Sequence, residues 1–241
     1  MAMTEAVANV RALTFDVFGT VVDWRSSIIA ELEAFARAKG IAADWAGITD
    51  AWQGLYQPKL SPVREGKRPF TVLDVLHRES LDEVLARFGI AGLSEEEKDF
   101  LNRVWHRLMP WPDSVAGLNR LHAKYPLATL SNGNVALMVN LARHAHLPWD
   151  AILGAEVTGH YKPQPECYRR SVQMLGLQPG QVMLVAAHNG DLVAASKVGL
   201  RTAFVARPLE YGPHQKLDLQ AEHPFDVIAS DMVDLAVRLG C

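Results

Sequence analysis

The chain of 241 residues is 49% hydrophobic and 21% charged, a balance that excludes an intrinsically disordered protein. Its 24 basic and 27 acidic residues give a formal net charge of −3, which leaves no basic field to hold nucleic acid. The two cysteines, Cys167 and Cys241, cannot form a disulfide framework and favour a reducing, cytoplasmic compartment. No signal-peptide pattern is visible, and no apolar run approaches the roughly 18 residues of a membrane-spanning helix, so we expect no membrane contact.

The first half of the chain is predicted to be one strand followed by helices. An apolar run at residues 10–15 predicts a buried strand, and Gly19 soon after it predicts a turn. Apolar residues at helical spacing over 26–39 predict a helix that ends at Gly40. The helical pattern continues through residues 47–109, interrupted by a proline-containing segment.

After Pro110 the pattern changes to short apolar strands that alternate with helices. The predicted strands are 127–130, 151–154, 182–187, 201–205 and 227–229. The predicted helices between them are 113–124, 134–146, 165–175 and 192–198. This alternation is typical of βαβ units. We therefore expect an α/β fold, a doubly wound parallel sheet formed by residues 1–21 and 113–241, with an inserted all-helical cap domain at 22–112.

Several polar side chains follow the predicted strands. Asp16 follows the first strand, Ser131 and Asn132 follow the second, and Asp191 comes shortly after the run at 182–187; Lys162 lies in a loop. Each alone fits ordinary turn or surface chemistry. Ligands of an open parallel sheet bind beyond the carboxyl ends of its strands. The occurrence of these polar residues together at the strand ends therefore predicts a catalytic site there.

Four segments carry these residues: FDVFGTVVDW at 15–24, LSNGN at 130–134, HYKPQPECY at 160–168 and AAHNGDLVAASKVGLRTAFVARP at 186–208. Their order resembles the four motifs of the haloacid dehalogenase superfamily, and the resemblance covers nearly the whole chain. It implies a Rossmann-like core with a cap inserted after the first motif. The resemblance is closest to the type II L-2-haloacid dehalogenases, on the residues Phe18, Ser131-Asn132-Gly133, Tyr161-Lys162-Pro163 and Tyr168.

The resemblance also implies catalytic roles. Asp16 would attack the substrate and form a covalent aspartyl ester that water then cleaves. Lys162 would keep the Asp16 carboxylate ionised, and Asp191 would fix Lys162 and position the water. Thr20 would hold the nucleophile loop, and Ser131 would orient a substrate oxygen.

The implied substrate is a short 2-haloalkanoic acid, which would become a 2-hydroxy acid with inversion at C2. The residues expected to contact the substrate or the halide are Val17, Phe18, Trp52, Gln53, Asn132, Tyr168 and Asn189. Trp24 and Trp52 are the tryptophans expected to line the pocket. Dimers are common in the resembled family, so a homodimer is the expected assembly.

Phe18 separates two reaction classes within the superfamily. The phosphatases need a second aspartate at this position, because an acid must protonate their poor alkoxide leaving group. Phenylalanine cannot donate that proton, and a departing halide does not need it. Asp191 is the one acidic residue of the fourth motif's AAHNGD segment, whereas Mg²⁺ prefers several oxygen ligands. We therefore expect carbon–halogen hydrolysis without a metal or a cofactor.

The cap departs from the resembled family at Gln53, which stands where the family has an arginine that helps to extract the halide. An amide can donate a hydrogen bond to halide, but without the strengthening effect of a charge. Arg64 and Arg68 are candidates to replace that arginine, although either fits a solvated surface position equally well.

The fourth motif departs at Ala186 and His188, which replace a serine and an asparagine, and at Gly190, which replaces a bulky aromatic. His188 has two possible roles, a base for the hydrolytic water or a structural hydrogen-bond partner. Two alternative functions stay open: a hydrolase of another small carboxylate or phosphate substrate, favoured by Gln53, and a non-catalytic binding protein. The intact set of Asp16, Ser131, Lys162 and Asp191 speaks against the binding protein.

Overall fold

The computed structural model describes residues 5–241, so residues 1–4 of the predicted core lie outside the described part. Its strands are β1 (Ala12–Phe15), β2 (Val22–Asp23), β3 (Met109–Pro110), β4 (Leu127–Thr129), β5 (Val182–Ala186), β6 (Arg201–Val205) and β7 (Val227–Ala229). Five of them form a parallel sheet in the order β4-β1-β5-β6-β7, and β2 pairs antiparallel with β3. The predicted α/β class with a parallel sheet is confirmed.

The helices of the first half lie between β2 and β3, apart from α1 (Glu5–Ala8). They are α2 (Trp24–Lys39), α3 (Trp45–Gly54), α4 (Tyr56–Arg64), α5 (Leu73–Arg87) and α6 (Glu95–Asn102), followed by a 3₁₀ turn at Arg103–His106. As predicted, α2 ends at Gly40, which adopts the left-handed conformation. These elements form the expected helical block.

The helices of the second half alternate with the sheet strands. They are α7 (Ser114–His122), α8 (Val135–Ala145), α9 (Ala155–Thr158), α10 (Pro165–Met174), α11 (Asn189–Lys197) and α12 (Met232–Arg238), with a 3₁₀ turn at Pro179–Gln181. The buried residues of β5 alternate between two apolar clusters. One cluster includes residues of α7, α8 and α12, and the other includes residues of α10 and α11. Helices therefore cover both faces of the sheet, which explains why its central strands are continuously apolar.

The prediction of a strand at residues 151–154 is wrong. Only isolated bridges form, from Ala151 to Ala128 and from Gly154 to Ser131. The Thr129 hydroxyl donates to the Leu153 carbonyl over 2.7 Å and accepts the Leu153 N–H over 3.0 Å. The Thr129 side chain thus hydrogen-bonds to backbone groups of Leu153 that a regular strand would pair with a neighbouring strand.

One helix boundary matters for the site. The sequence pattern predicts a helix over 192–198, but α11 begins at Asn189. His188 is therefore the residue that precedes the helix, and Asp191 lies in its first turn. Within residues 5–241, no helix combines the length and apolarity needed to cross a bilayer.

Candidate active site

A cavity of about 740 Å³ lies between the carboxyl ends of the sheet strands and the helical block. Asp16 comes directly after β1, Asn132 follows β4, and Asp191 lies just beyond β5. Lys162 reaches the same place from the loop before α10. The opposite wall is formed by the side chains of Trp24, Gln53, Tyr56, Arg64 and Trp105. The topology thus brings together the polar residues that the sequence placed at strand ends.

Asp16 accepts three side-chain hydrogen bonds in the cavity. Its Oδ1 lies 2.8 Å from Lys162 Nζ, and its Oδ2 accepts hydrogen bonds from Thr20 Oγ1 over 2.7 Å and from His188 Nδ1 over 3.0 Å. Burial alone would raise the pKa of Asp16, but Lys162 and His188 outweigh it and hold that pKa well below its usual value. Asp16 is therefore an ionised carboxylate at neutral pH, the form that can act as a nucleophile.

Lys162 joins two carboxylates. Its side chain is 8% exposed, and Nζ lies 2.8 Å from Asp16 Oδ1 and 2.5 Å from Asp191 Oδ2. Burial opposes the cation, yet the two carboxylates raise the pKa of Lys162 above its usual value. Tyr168 donates its hydroxyl to Asp191 Oδ1 over 2.6 Å, and the Lys162 N–H donates to Asn132 Oδ1 over 2.9 Å. These contacts fix both ends of the lysine.

Thr20 connects the loop after β1 to the end of β5. Its hydroxyl donates to Asp16 Oδ2 and accepts the Ala187 N–H over 2.9 Å. The side chain is completely buried, so both hydrogen bonds are shielded from water.

Glu210 is a site residue that the sequence analysis missed. It lies in the irregular segment after β6, with a side chain only 2% exposed, and its oxygens are 3.0 and 3.1 Å from His188 Nε2. Trp24 Nε1 donates to Glu210 Oε1 over 3.1 Å. Burial disfavours an imidazolium, but Glu210 and Asp16 raise the pKa of His188 well above 6.5. His188 is thus a cation between two carboxylates.

Four of the predicted substrate contacts line the cavity: Phe18, Gln53, Asn132 and Tyr168. Phe18 packs edge-on against Trp105, with ring centroids 5.6 Å apart. Gly190 also lines the cavity, and a Cβ added there would meet no atom within 4 Å. The space beside Asp191 is therefore open.

Trp52 does not line the cavity, contrary to expectation. It is 1% exposed, and its indole N–H donates to the His77 carbonyl over 2.9 Å. Its ring packs against Trp105, which takes the predicted place on the cavity wall beside Trp24. The resemblance placed a tryptophan on the cavity wall, but did not decide which one the cap packing would leave there.

Asn189 and Val17 also lie outside the cavity wall. The Asn189 amide group donates to Asp218 and to the Gln220 carbonyl, so it anchors the segment after β6. Val17 is completely buried in the apolar core. Ser131 is buried as well, and its Oγ accepts the Gly133 N–H over 3.1 Å. A contact between Ser131 and the substrate stays a prediction.

The two candidate arginines have different surroundings. Arg68 forms a two-pronged ion pair with Glu79, at 2.7 and 2.8 Å, away from the cavity. Arg64 lines the cavity, and its hydrogen bonds to the Lys162 carbonyl and to Ser61 Oγ are long, at 3.3 and 3.4 Å. Within the described residues, Arg64 has no carboxylate partner. It is the cap cation available to an anionic ligand in the cavity.

Comparison with known proteins places the chain in a family. The family of haloacid dehalogenase-like hydrolases matches residues 10–199. The crystal structure of an L-2-haloacid dehalogenase is 52% identical, with a TM-score of 0.94 over 96% of this chain and 99% of that one. That of a defluorinating L-2-haloacid dehalogenase is 46% identical, with a TM-score of 0.96 over 100% of this chain and 99% of that one.

A curated relative, the (S)-2-haloacid dehalogenase 4A of Burkholderia cepacia, is 28% identical over 211 residues, 85% of this chain and 88% of the relative. The chain thus belongs to the haloacid dehalogenase-like hydrolases. Its full-length structural neighbours at 52% and 46% identity are L-2-haloacid dehalogenases, as its motifs implied.

Proposed function

We propose that this protein is a hydrolytic dehalogenase that converts short 2-haloalkanoic acids to 2-hydroxy acids through an ester on Asp16. The observation that carries the proposal is the pairing of a buried, ionised Asp16 with Phe18 on the wall of the same cavity. The site has a nucleophile, and the position that would supply a phosphatase with its acid is an aromatic ring. The likeness to L-2-haloacid dehalogenases supports the same reaction.

In the first half of the reaction, an Asp16 oxygen forms a bond to C2 of the substrate and the carbon–halogen bond breaks. The halide leaves with the bonding electron pair, and C2 is inverted. Lys162 keeps the nucleophile ionised, since an opposite charge at 2.8 Å favours the carboxylate. In the second half, water attacks Cγ of the ester and releases the 2-hydroxy acid.

A cation of the cavity that has no carboxylate partner can bind the carboxylate of the substrate. Arg64 of the helical block is such a cation, because it lines the cavity and has no ionic partner among residues 5–241. Gln53 and Asn132 line the same space and can donate amide hydrogen bonds to the departing halide. Arg64 therefore binds the substrate carboxylate, while the amides of Gln53 and Asn132 receive the halide.

The organisation that we propose keeps the core at 1–21 and 113–241 and the cap at 22–112, with the active site between them. Both cysteines are free, which fits the cytoplasmic location predicted above. A homodimer remains a prediction.

The test is halide release from fluoro-, chloro- and bromoacetate and from both enantiomers of 2-chloropropionate, with and without excess chelator. Hydrolysis of a phosphate ester with added Mg²⁺ is measured alongside. We expect halide release that persists in chelator and no phosphatase activity. Phosphatase activity that depends strictly on Mg²⁺, without halide release, would favour the alternative hydrolase.

A further inference from the structure

We propose that His188, held in place by Glu210, and Thr20 form the oxyanion hole for hydrolysis of the Asp16 ester. This inference rests on the proposed function, because it concerns the second half of that reaction. It assigns His188 as a hydrogen-bond donor that keeps its proton throughout, and Glu210 as its positioning residue.

The two oxygens of Asp16 have different surroundings. Oδ1 accepts one side-chain hydrogen bond, from Lys162, whereas Oδ2 accepts two, from Thr20 over 2.7 Å and from His188 over 3.0 Å. The attacking oxygen must use a lone pair to form the new bond to carbon. Oδ1, with fewer donors, is therefore the attacking oxygen, and Oδ2 becomes the carbonyl oxygen of the ester.

When water attacks that ester, negative charge develops on Oδ2. Donors at 2.7 and 3.0 Å lie within the distance range that stabilises an oxyanion. Both are already fixed before the reaction, Thr20 by the Ala187 N–H and His188 by Glu210. No reorganisation is needed as the charge appears, which is the source of such stabilisation.

Glu210 is the group that keeps His188 charged during this step. An imidazole that donates from both ring nitrogens must be protonated on both. Once Asp16 is esterified, its negative charge no longer attracts the imidazolium, but the buried Glu210 carboxylate remains 3.0 Å from Nε2. The other charged or titratable groups that line the cavity are Lys162, Asp191, Arg64, Tyr56, Tyr168, Tyr211 and Asp50, the last of which is paired with Arg25.

The proton balance of this step does not use His188 as a base. Water forms a bond to Cγ and gives a proton to the Asp191 carboxylate. The bond between Cγ and the ester oxygen then breaks, and the departing alkoxide takes that proton. The new Asp16 carboxyl group loses its hydroxyl proton to solvent, which regenerates the nucleophile.

The experiment follows both halves of a single turnover with chloroacetate. Halide release reports ester formation, and mass spectrometry of acid-quenched protein reports the adduct on Asp16. In His188→Leu, whose side chain has no donor, we expect ester decay to slow by about 10²-fold, the cost of one lost oxyanion donor, while halide release in the first turnover is not slowed. His106→Leu is the matched control, because His106 is also buried beside a carboxylate, Asp74 at 3.0 Å, outside the catalytic cavity.

The pH dependence distinguishes an oxyanion donor from a base. A donor must be protonated, so ester decay in the wild type should fall as the pH rises through the pKa of His188. Glu210→Gln should move this alkaline limb to lower pH, since the amide no longer stabilises the cation, while Trp24 can still donate to the Gln oxygen. A merely structural Glu210 would lower the rate without moving the limb.

The outcomes separate this inference from the proposed function. Absence of halide release from the wild type would overturn both. Halide release and an Asp16 adduct in the wild type, with no accumulation of ester in His188→Leu, would overturn the oxyanion hole alone. So would an ester-decay rate that rises with pH across the same range, because that behaviour belongs to a base.

Discussion

Gly19 lies directly against the carboxylate of Glu210: a Cβ at Gly19 would sit 2.0 Å from Glu210 Oε1. The two residues are far apart in sequence, and the contact closes the segment after β6 onto the nucleophile loop. Because Gly19 has a φ of +78°, it also occupies the left-handed region that glycine tolerates best. The contact thus couples the backbone beside Asp16 to the group that holds His188.

Gly19→Ala should displace Glu210 and lower both stability and turnover. Gly40→Ala is the matched control, because Gly40 has a φ of +68° but no atom within 4 Å of an added Cβ. The control should lose about 1–2 kcal/mol of unfolding free energy from backbone strain alone and keep its activity. Denaturant unfolding and halide-release assays measure the two effects. Equal losses in both variants would show that the contact with Glu210 has no consequence.

Lys162→Met should destabilise the fold as well as abolish turnover. It leaves Asp16 and Asp191 buried without their shared cation, and removing one partner of a buried pair costs about 3–5 kcal/mol. Lys59→Met, which removes the more exposed ion pair with Glu83, should cost at most about 1 kcal/mol. Urea unfolding compares the two variants. A smaller loss in Lys162→Met than in Lys59→Met would contradict the assigned charge state of the site.

Arg64→Gln should raise KM for 2-haloacids more than it lowers kcat. A hydrogen bond to a charged partner contributes about 1.5–3 kcal/mol, which corresponds to roughly 10- to 100-fold in KM. Arg68→Gln is the control, since Arg68 is paired with Glu79 away from the cavity. Steady-state kinetics with chloroacetate tests the difference. An unchanged KM in Arg64→Gln would mean that another group binds the substrate carboxylate.

The raised pKa of His188 predicts how its contribution to stability depends on pH. The pKa of His188 is higher in the folded protein than its usual value of 6.5. Such a group contributes fully to the unfolding free energy below pH 6.5, and this contribution is lost as the pH rises through the folded pKa. The unfolding free energy of the wild type should therefore exceed that of His188→Gln most at about pH 6, near the unperturbed pKa of histidine, and the difference should shrink in alkaline solution.

The contribution of Asp16 to stability depends on pH in the opposite direction. Because its pKa is lowered in the folded protein, its contribution is fully present above the usual value of 3.8 and is lost only as the pH falls below it. A difference between wild type and His188→Gln that grows with rising pH would show that His188 is not the cation described here.

The strand ends were predictable because each is marked by a short apolar run followed by a polar residue. Such runs fix where the parallel strands end, and the topology then brings the following side chains to one edge. Asp16, Asn132 and Asp191 were located in this way, and Lys162 was recognised through its motif. These four residues meet around one cavity as expected.

Glu210 could not be found in this way, because it lies in a long segment without helical or strand periodicity. Its position depends on long-range contacts, the Asn189 amide that anchors Asp218 and Gln220 and the close approach of Gly19. The presence of Trp105 instead of Trp52 on the cavity wall has a related cause. Packing among the cap helices decides which apolar side chain faces the site, and periodicity along one helix does not.

The most direct test of the covalent mechanism is a single turnover in ¹⁸O-labelled water. If Asp16 attacks C2 and water then opens the ester at Cγ, the label enters the Asp16 carboxylate, and the first molecule of 2-hydroxy acid contains none. Later turnovers should transfer the label to the product, and Asp16→Asn should lose nearly all activity while keeping its fold. Label in the product of the first turnover would mean that water attacks C2 directly, and would contradict the role of Asp16 as the nucleophile.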